Sequence, residues 1–340
     1  MLAITWFILW GVLWAVYFML DGFDLGLGSM LPVLAKNEKE RRMIYNSMGP
    51  FWDGNEVWLI TAGGATFAAF PKTYAVMFSS MYSALMLILF ALILRGVSFE
   101  FRNKMEGEGW KKVWDAFMII GSFAPALLFG IAFANIFKGI PIDAQGHYQG
   151  TLLTLLNPYG VLGGILFLLL FFVHGSLWLT IKTSGDISRR AANTAKWLWP
   201  FAIAAAAAFL IMSAVSTNLW NNYLDTPVLL VIPALAVTGM VTSRLYMEKS
   251  AWIAWAGSSF SIVFCTFFGI AGLYPDMFPS SIDPAYSLTL FNSSSSDLTL
   301  KIMLGVVLVF VPIVITYQTI VYKTFSFKLT DKDLESEQSY

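Results

Sequence analysis

Two carboxylates, Asp21 and Asp24, stand inside an otherwise apolar run, in the segment YFMLDGFDLGLG from Tyr17 to Gly28. A charge at bilayer depth costs roughly 2.5–3.5 kcal/mol on insertion scales, so such groups persist where they pair, meet water or move protons. Tyr17, Asp21, Asp24 and Gly28 recur at spacings of four, three and four, which on a helix is one face. Downstream, PFWDGNEVW sets Asp53 and Glu56 three residues apart behind Trp52, and ILRGVSFEFRNK carries Arg95, Glu100 and Arg102. The chemistry open to this set is proton conduction, with burial and a nearby guanidinium tuning the carboxyls. A structural role competes. Arg95 would then pair with Asp21 or Asp24, and Asp53 and Glu56 would serve a helix N-terminus, whose dipole favours negative charge. Residue types leave both readings open, and the depth of Asp24 favours conduction.

Other candidates carry less. His174, in LFFVHGSLW, suits a haem or a proton relay, but a lone intramembrane histidine is more often a hydrogen-bonded packing residue. His147 falls in a polar loop. The single cysteine, Cys265, excludes a disulfide within the chain and a Cys-rich metal site. GLGS has no strand before it, so no phosphate loop is expected.

The elements that hold these residues must be membrane helices. Of 340 residues, 57% are hydrophobic and only 12% charged, with a mean hydropathy of +0.68. A soluble domain carries about 25% charged residues. The formal net charge of zero offers no footprint for nucleic acid. A span takes about 20 apolar residues, and that rule predicts nine helices, over 4–33, 54–70, 74–101, 115–137, 159–182, 196–217, 227–246, 252–273 and 299–322. The first run is too long for a cleavable signal and lacks a small-residue cleavage site. In the second, LITAGGATFAAF predicts tight packing against a neighbour, as do Gly22–Gly26 and Gly160–Gly164. Trp10, Trp14, Trp197 and Trp199 fit interface belts. Residues 1–325 form one transmembrane domain, and 326–340 a short cytoplasmic tail.

Orientation follows from lysine and arginine. With the N-terminus outside, all basic residues except Lys72, Lys138, Lys301 and the embedded Arg95 fall on inner loops or the tail. This supports an odd number of spans, the N-terminus outside and the C-terminus cytoplasmic. The outer loops, GIPIDAQGHYQGTLLTLLNPYG and YPDMFPSSIDPAYSLTLFNSSSSD, read as compact surface caps. Asp21, Asp24, Asp53, Glu56, Arg95 and Glu100 then share the cytoplasmic side.

LDGFDLGLG, GPFWDGNEVWLITAGGATFAAFP and LRGVSFEFRNK resemble the signature segments of subunit II of the cytochrome bd quinol oxidases. KKVWDAFMIIGSFAPALLFGIAFANIFKGIP, LLNPYGVLGG and GLYPDMFPSSIDPAYSLTLFNSSSSDLTL extend the resemblance over nearly the whole chain. It implies an all-α integral membrane fold of nine transmembrane helices, two four-helix bundles plus one peripheral helix, in the bacterial cell membrane. It implies a heterodimer with a similarly folded subunit I that carries two haems b, a haem d and the quinol-oxidising loop. Some members add a small single-helix subunit, and some hold a quinone structurally in subunit II; lipid is an expected neighbour. Subunit II is needed for assembly and contributes to a proton path. The family's motif acids fall on Asp21, Asp24, Asp53 and Glu100, with Arg95 and Trp52 beside them. No haem ligation by this chain's own side chains is expected, in keeping with two histidines. The rival readings are a proton-coupled secondary transporter or channel subunit, for which no internal repeat is visible, and an inert membrane scaffold.

Overall fold

Long apolar segments satisfy their backbone polar groups in a bilayer only as helices or closed barrels, and this chain takes the helical solution. The computed structural model describes residues 1–330 and 332–334. Its helices are α1 (Leu2–Ser29), α2 (Leu31–Leu34), α3 (Glu38–Met48), α4 (Trp52–Ala69), α5 (Pro71–Ser80), α6 (Tyr82–Phe101), α7 (Glu108–Lys138), α8 (Pro158–Lys182), α9 (Gly185–Ser216), α10 (Leu219–Asp225), α11 (Val231–Tyr246), α12 (Ala251–Leu273), α13 (Leu290–Ser293) and α14 (Asp297–Thr324).

Among the described residues, eight helical segments are long and apolar enough to cross a membrane. They contain α1, α6, α7, α8, α9, α11, α12 and α14. The second of the nine expected spans corresponds to α4, an 18-residue helix that opens on Trp52 and Asp53 and is not among the eight. The third, expected unbroken over 74–101, is divided. Met81, at φ −103° and ψ 16°, separates α5 from α6, a break that continuous hydropathy conceals. The first stops at Ser29 rather than residue 33. Pro32 lacks the N–H that would continue the ladder, and the chain turns at Met30 into α2.

α1 lies at the centre, packed against α4, α7, α8 and α12. Its glycines set those distances. A Cβ on Gly26 would sit 1.9 Å from the carbonyl oxygen of Phe171, so α1 and α8 cross backbone to backbone. A Cβ on Gly164 would meet Leu127 of α7 at 2.7 Å, again the close approach expected of small residues. Gly63 and Gly64 break the pattern: no atom of the described residues lies within 4 Å of either Cβ position. α4 instead buries Ala62, Thr66 and Ala69, of which Thr66 bonds α1, and its glycines line an open apolar groove. The aromatic belts also need correcting. Trp10 and Trp14 are buried, and the Trp10 indole donates to Thr66 Oγ1 at 3.0 Å, whereas Trp197 is exposed.

At one end the two longest loops meet. Strand β1 (Asp276–Phe278) pairs antiparallel with β2 (Leu288–Thr289). Ile140 donates its amide to the Pro279 carbonyl at 2.9 Å, and the Ser280 hydroxyl donates to the Ile142 carbonyl at 2.7 Å. At the other end the chain folds back on itself. The buried Lys182 ammonium donates to the Phe325 and Phe327 carbonyls, and Leu329 donates its amide to the Lys182 carbonyl at 2.8 Å. Leu329 and Leu334 are buried, so this part of the expected tail is held against the helices. Asp331, residues 335–340 and the Lys332 side chain, which belong to the same expected tail, lie outside the described residues.

Candidate functional site

The last turns of α1, the first turns of α4 and the second half of α6 converge at the end that also holds Lys182 and the returning chain. Arg95, from α6, is fully buried and reaches Asp21 Oδ1 at 2.8 Å and Glu56 Oε2 at 2.9 Å through the same Nη2. The sequence left Arg95 a choice between Asp21 and Asp24. The geometry takes Asp21, and adds Glu56 rather than leaving it to the α4 terminus. Asp53 stays in the first turn of α4, exposed, and Glu100 is exposed at the end of α6. The expected set therefore comes together only in part: Asp21, Glu56 and Arg95 are in contact, while Asp53 and Glu100 stand apart.

Asp24 is fully buried and makes no ion pair with Arg95. Its Oδ2 accepts a hydrogen bond from Asn55 Nδ2 at 2.7 Å, and Asn55 Oδ1 accepts one from the Tyr322 hydroxyl of α14 at 2.8 Å. Asp24 Oδ1 and the Nε and Nη1 of Arg95 have no hydrogen-bond partner among the described residues. Leaving such a buried group unsatisfied costs about 1–3 kcal/mol. A cleft lined by Asp53, Glu100, Asn55 and Tyr322 opens beside these groups. It brings the two exposed acids to the hydrogen-bonded pair that touches Asp24. Trp52 forms the adjacent wall, stacked on Phe99 with centroids 5.0 Å apart and planes at 4°. Asn55 and Tyr322 were missed from sequence; both are uncharged, so neither carries the insertion cost that singled out the acids.

A second cluster lies nearer the chain's polar end. Arg102, also buried, donates to Asp115 at 2.6 Å and to Glu38 at 2.8 Å, tying α3 to α7. Tyr45 donates its hydroxyl to the same Asp115 at 3.2 Å. Burial disfavours the charged form of Glu38, but hydrogen bonds and charge from Arg102, helped by Lys111, outweigh it and hold the carboxyl below its usual range. Glu40 behaves alike: burial opposes ionisation, and Arg190 and the Lys36 amide overcome it.

The remaining candidates take packing roles. His174 sits between Ser258 Oγ (2.6 Å from Nδ1) and the Met19 carbonyl (3.0 Å from Nε2), stacked on Trp255. Both ring nitrogens are engaged, so the histidine does not fit a haem ligand. His147 is exposed beside Asp143. Among the described residues no group of three or more His, Cys, Asp or Glu side chains is placed to hold a metal ion.

The sequence model of the cytochrome bd terminal oxidase subunit II family matches residues 2–325. The chain is 37% identical over 329 residues to cytochrome bd ubiquinol oxidase subunit 2 of Bacillus subtilis, covering 96% of this chain and 97% of that one. It is 36% identical to cytochrome bd-I ubiquinol oxidase subunit 2 of Escherichia coli K12, covering 98% of this chain and 97% of that one. In fold it is similar to a chain of the bd oxidase from Geobacillus thermodenitrificans, with a TM-score of 0.78 at 15% identity, covering 95% of this chain and 98% of the other. These similarities remove the transporter or channel alternative, and the apolar helices make the chain a multi-pass protein of the bacterial cytoplasmic membrane. The chain therefore belongs to the cytochrome bd terminal oxidase subunit II family, as a subunit of a respiratory oxidoreductase complex.

Proposed function

We propose that this chain is the haem-free subunit of a quinol:oxygen oxidoreductase and carries protons from the cytoplasmic side toward an oxygen-reducing centre in a larger partner. The observation that carries the reading is Asp24, a fully buried carboxyl with one oxygen on Asn55 and the other without a partner among the described residues, beside a cleft lined by Asp53 and Glu100. Reduction of oxygen to water consumes protons, and a buried carboxyl within reach of water is a station for them. The roles divide. Asp21, Glu56 and Arg95 form the charge-balanced wall of the route, Asp24 is its titrating member, and Asn55 with Tyr322 orients Asp24 toward the cleft.

The partner's two haems b and haem d would supply the electron transfer and oxygen chemistry. Quinol as the electron donor is supported by the names of the Bacillus subtilis and Escherichia coli relatives, both ubiquinol oxidase subunits. From the resemblance we extend to this chain the ninth span, supplied by α4, and the N-terminus outside. With them come two four-helix bundles and a peripheral helix, a place that suits α14, where Leu300 alone is buried. The small single-helix subunit and the structurally held quinone of some members belong to the same expectation.

An optical spectrum of the complex purified through this chain tests the reading. Haem absorbance should co-purify with a larger subunit, and His174→Ala should leave each haem band at the wild-type level per assembled complex. A colourless, stable, solitary chain would overturn the reading.

A further inference from the structure

The cytoplasmic ends of α1 and α9, with α2, α7 and α8, line an open cleft of about 740 Å³, which shares no lining residue with the carboxylate cluster or the proton route. Its two halves differ in chemistry. One wall is apolar: Val33, Phe123 and Trp197, all exposed, with Phe172 behind them. The other carries Lys36, Arg189 and Arg190, with Asn193 between them and the apolar wall. On α9 the residues Arg189, Asn193 and Trp197 are spaced by four, so they form one stripe. Each step rises about 6 Å, which sets Arg189 roughly 12 Å above the indole. Tryptophan marks the level where acyl chains meet headgroups. The arginine two turns beyond it therefore stands at phosphate depth.

The acids near this cleft do not cancel its charge. Arg190 is committed to Glu40 at 2.5 Å and to the Leu34 carbonyl at 2.8 Å. Arg189 gives only Nη2 to Asp186, at 2.6 Å, and keeps its other N–H groups for a ligand. The Lys36 side chain is exposed and forms no ion pair among the described residues. Three cations face two carboxylates. The surplus is positive, and it lies directly above an apolar wall exposed at membrane depth.

We infer that this cleft binds one anionic phospholipid, its phosphate held by Lys36 and Arg189 and an acyl chain laid along Val33, Phe123 and Trp197. The inference stands apart from the proton-path reading, since no residue is shared with it. A soluble anion has no use for the apolar wall, and a zwitterionic lipid gains nothing from the surplus charge.

The test uses the purified, delipidated oxidase complex and native mass spectrometry, titrating short-chain phosphatidylglycerol, short-chain phosphatidylcholine and inorganic phosphate. The wild type should bind one phosphatidylglycerol in preference to phosphatidylcholine, and phosphate should not displace it. Lys36→Gln with Arg189→Gln should weaken that binding roughly fivefold for each charge removed. Asn193→Trp, which keeps every charge and fills the cleft from an exposed position, should abolish it; this variant decides the question if the double variant fails to assemble. Equal phosphatidylglycerol binding by the wild type and Asn193→Trp would overturn the inference. So would equal affinity for phosphatidylcholine, or displacement by inorganic phosphate, which would make the cleft a simple anion site.

Discussion

Arg95 and Asp21 form an ion pair of 2.8 Å between two side chains with no solvent exposure, and the same guanidinium nitrogen holds Glu56 at 2.9 Å. An enclosed pair of this kind adds little net stability over an apolar replacement, but removing one partner leaves uncompensated charge and costs on the order of 3–5 kcal/mol. Arg95→Met strands two acids at once. It should lower the amount of assembled complex and its thermal midpoint, with residual complex keeping its haem ratio. Thermal unfolding in detergent, followed by haem absorbance, reads this directly; a wild-type midpoint would mean that the cluster does not hold the three helices together.

The α1–α8 crossing supplies a second expectation. A methyl group on Gly26 would meet the Phe171 carbonyl oxygen at 1.9 Å, and a backbone atom in the middle of a membrane helix cannot swing aside. Gly26→Ala should force the helices apart and shift the residues packed near Asp24. Gly64→Ala, with no atom of the described residues within 4 Å of its Cβ position, is the matched control within this chain. Expression level and thermal midpoint should fall for the first substitution and change little for the second. Equal behaviour would show that backbone contact does not set the crossing.

The polar end gives a pH dependence whose sign is determined. The carboxyls of Glu38 and Glu40 titrate below the ordinary glutamate value of 4.5 in the folded chain. Groups with depressed pKa values contribute stability that is fully present above the unfolded value and is lost as pH falls through the folded one. Around them stand Arg102, Lys111, Arg41, Asp115 and Tyr45 on one side, and Arg190 and Lys36 on the other. Hydrogen exchange of α3 should be slow at pH 7 and accelerate below about pH 4.5. In Glu38→Gln with Glu40→Gln, α3 should already exchange faster at neutral pH and respond less to acid. An α3 whose exchange, corrected for the intrinsic rate, ignores pH between 7 and 4 would contradict the assignment.

Much of the site was legible because charge in a membrane is conspicuous. Asp21, Asp24 and Arg95 announced themselves by their cost, and the four-three spacing put both aspartates on one face. Their division of labour was not legible. Whether Arg95 meets Asp21 or Asp24 depends on where α6 crosses α1, and whether Glu56 caps α4 or reaches Arg95 depends on the same crossing. Tyr322 meets Asn55 across 267 positions of sequence, through a contact between two uncharged side chains, and nothing local predicts it. The helices themselves were read well where apolar length decides. The break at Met81 was hidden by unbroken hydropathy, and the open faces of Gly63 and Gly64 by a composition that serves tight packing equally well. Trp10 and Trp14 misled for a related reason: tryptophans in an apolar run suit an interface belt, but α1 is surrounded by other helices.

The central claim is that Asp24 carries protons, and Asp24→Asn tests it most directly. The amide keeps the size of the side chain and part of its hydrogen bonding to Asn55 but cannot change charge. In the purified complex reconstituted in vesicles, quinol-driven oxygen consumption and proton uptake from the cytoplasmic face would be followed together, normalised to haem content. The account predicts near wild-type haem content, with turnover and coupled proton uptake both reduced about tenfold or more, within the range typical of a lost proton-transfer group. Wild-type turnover with undiminished proton uptake would contradict it, and would leave Asp24 as a packing partner of Asn55.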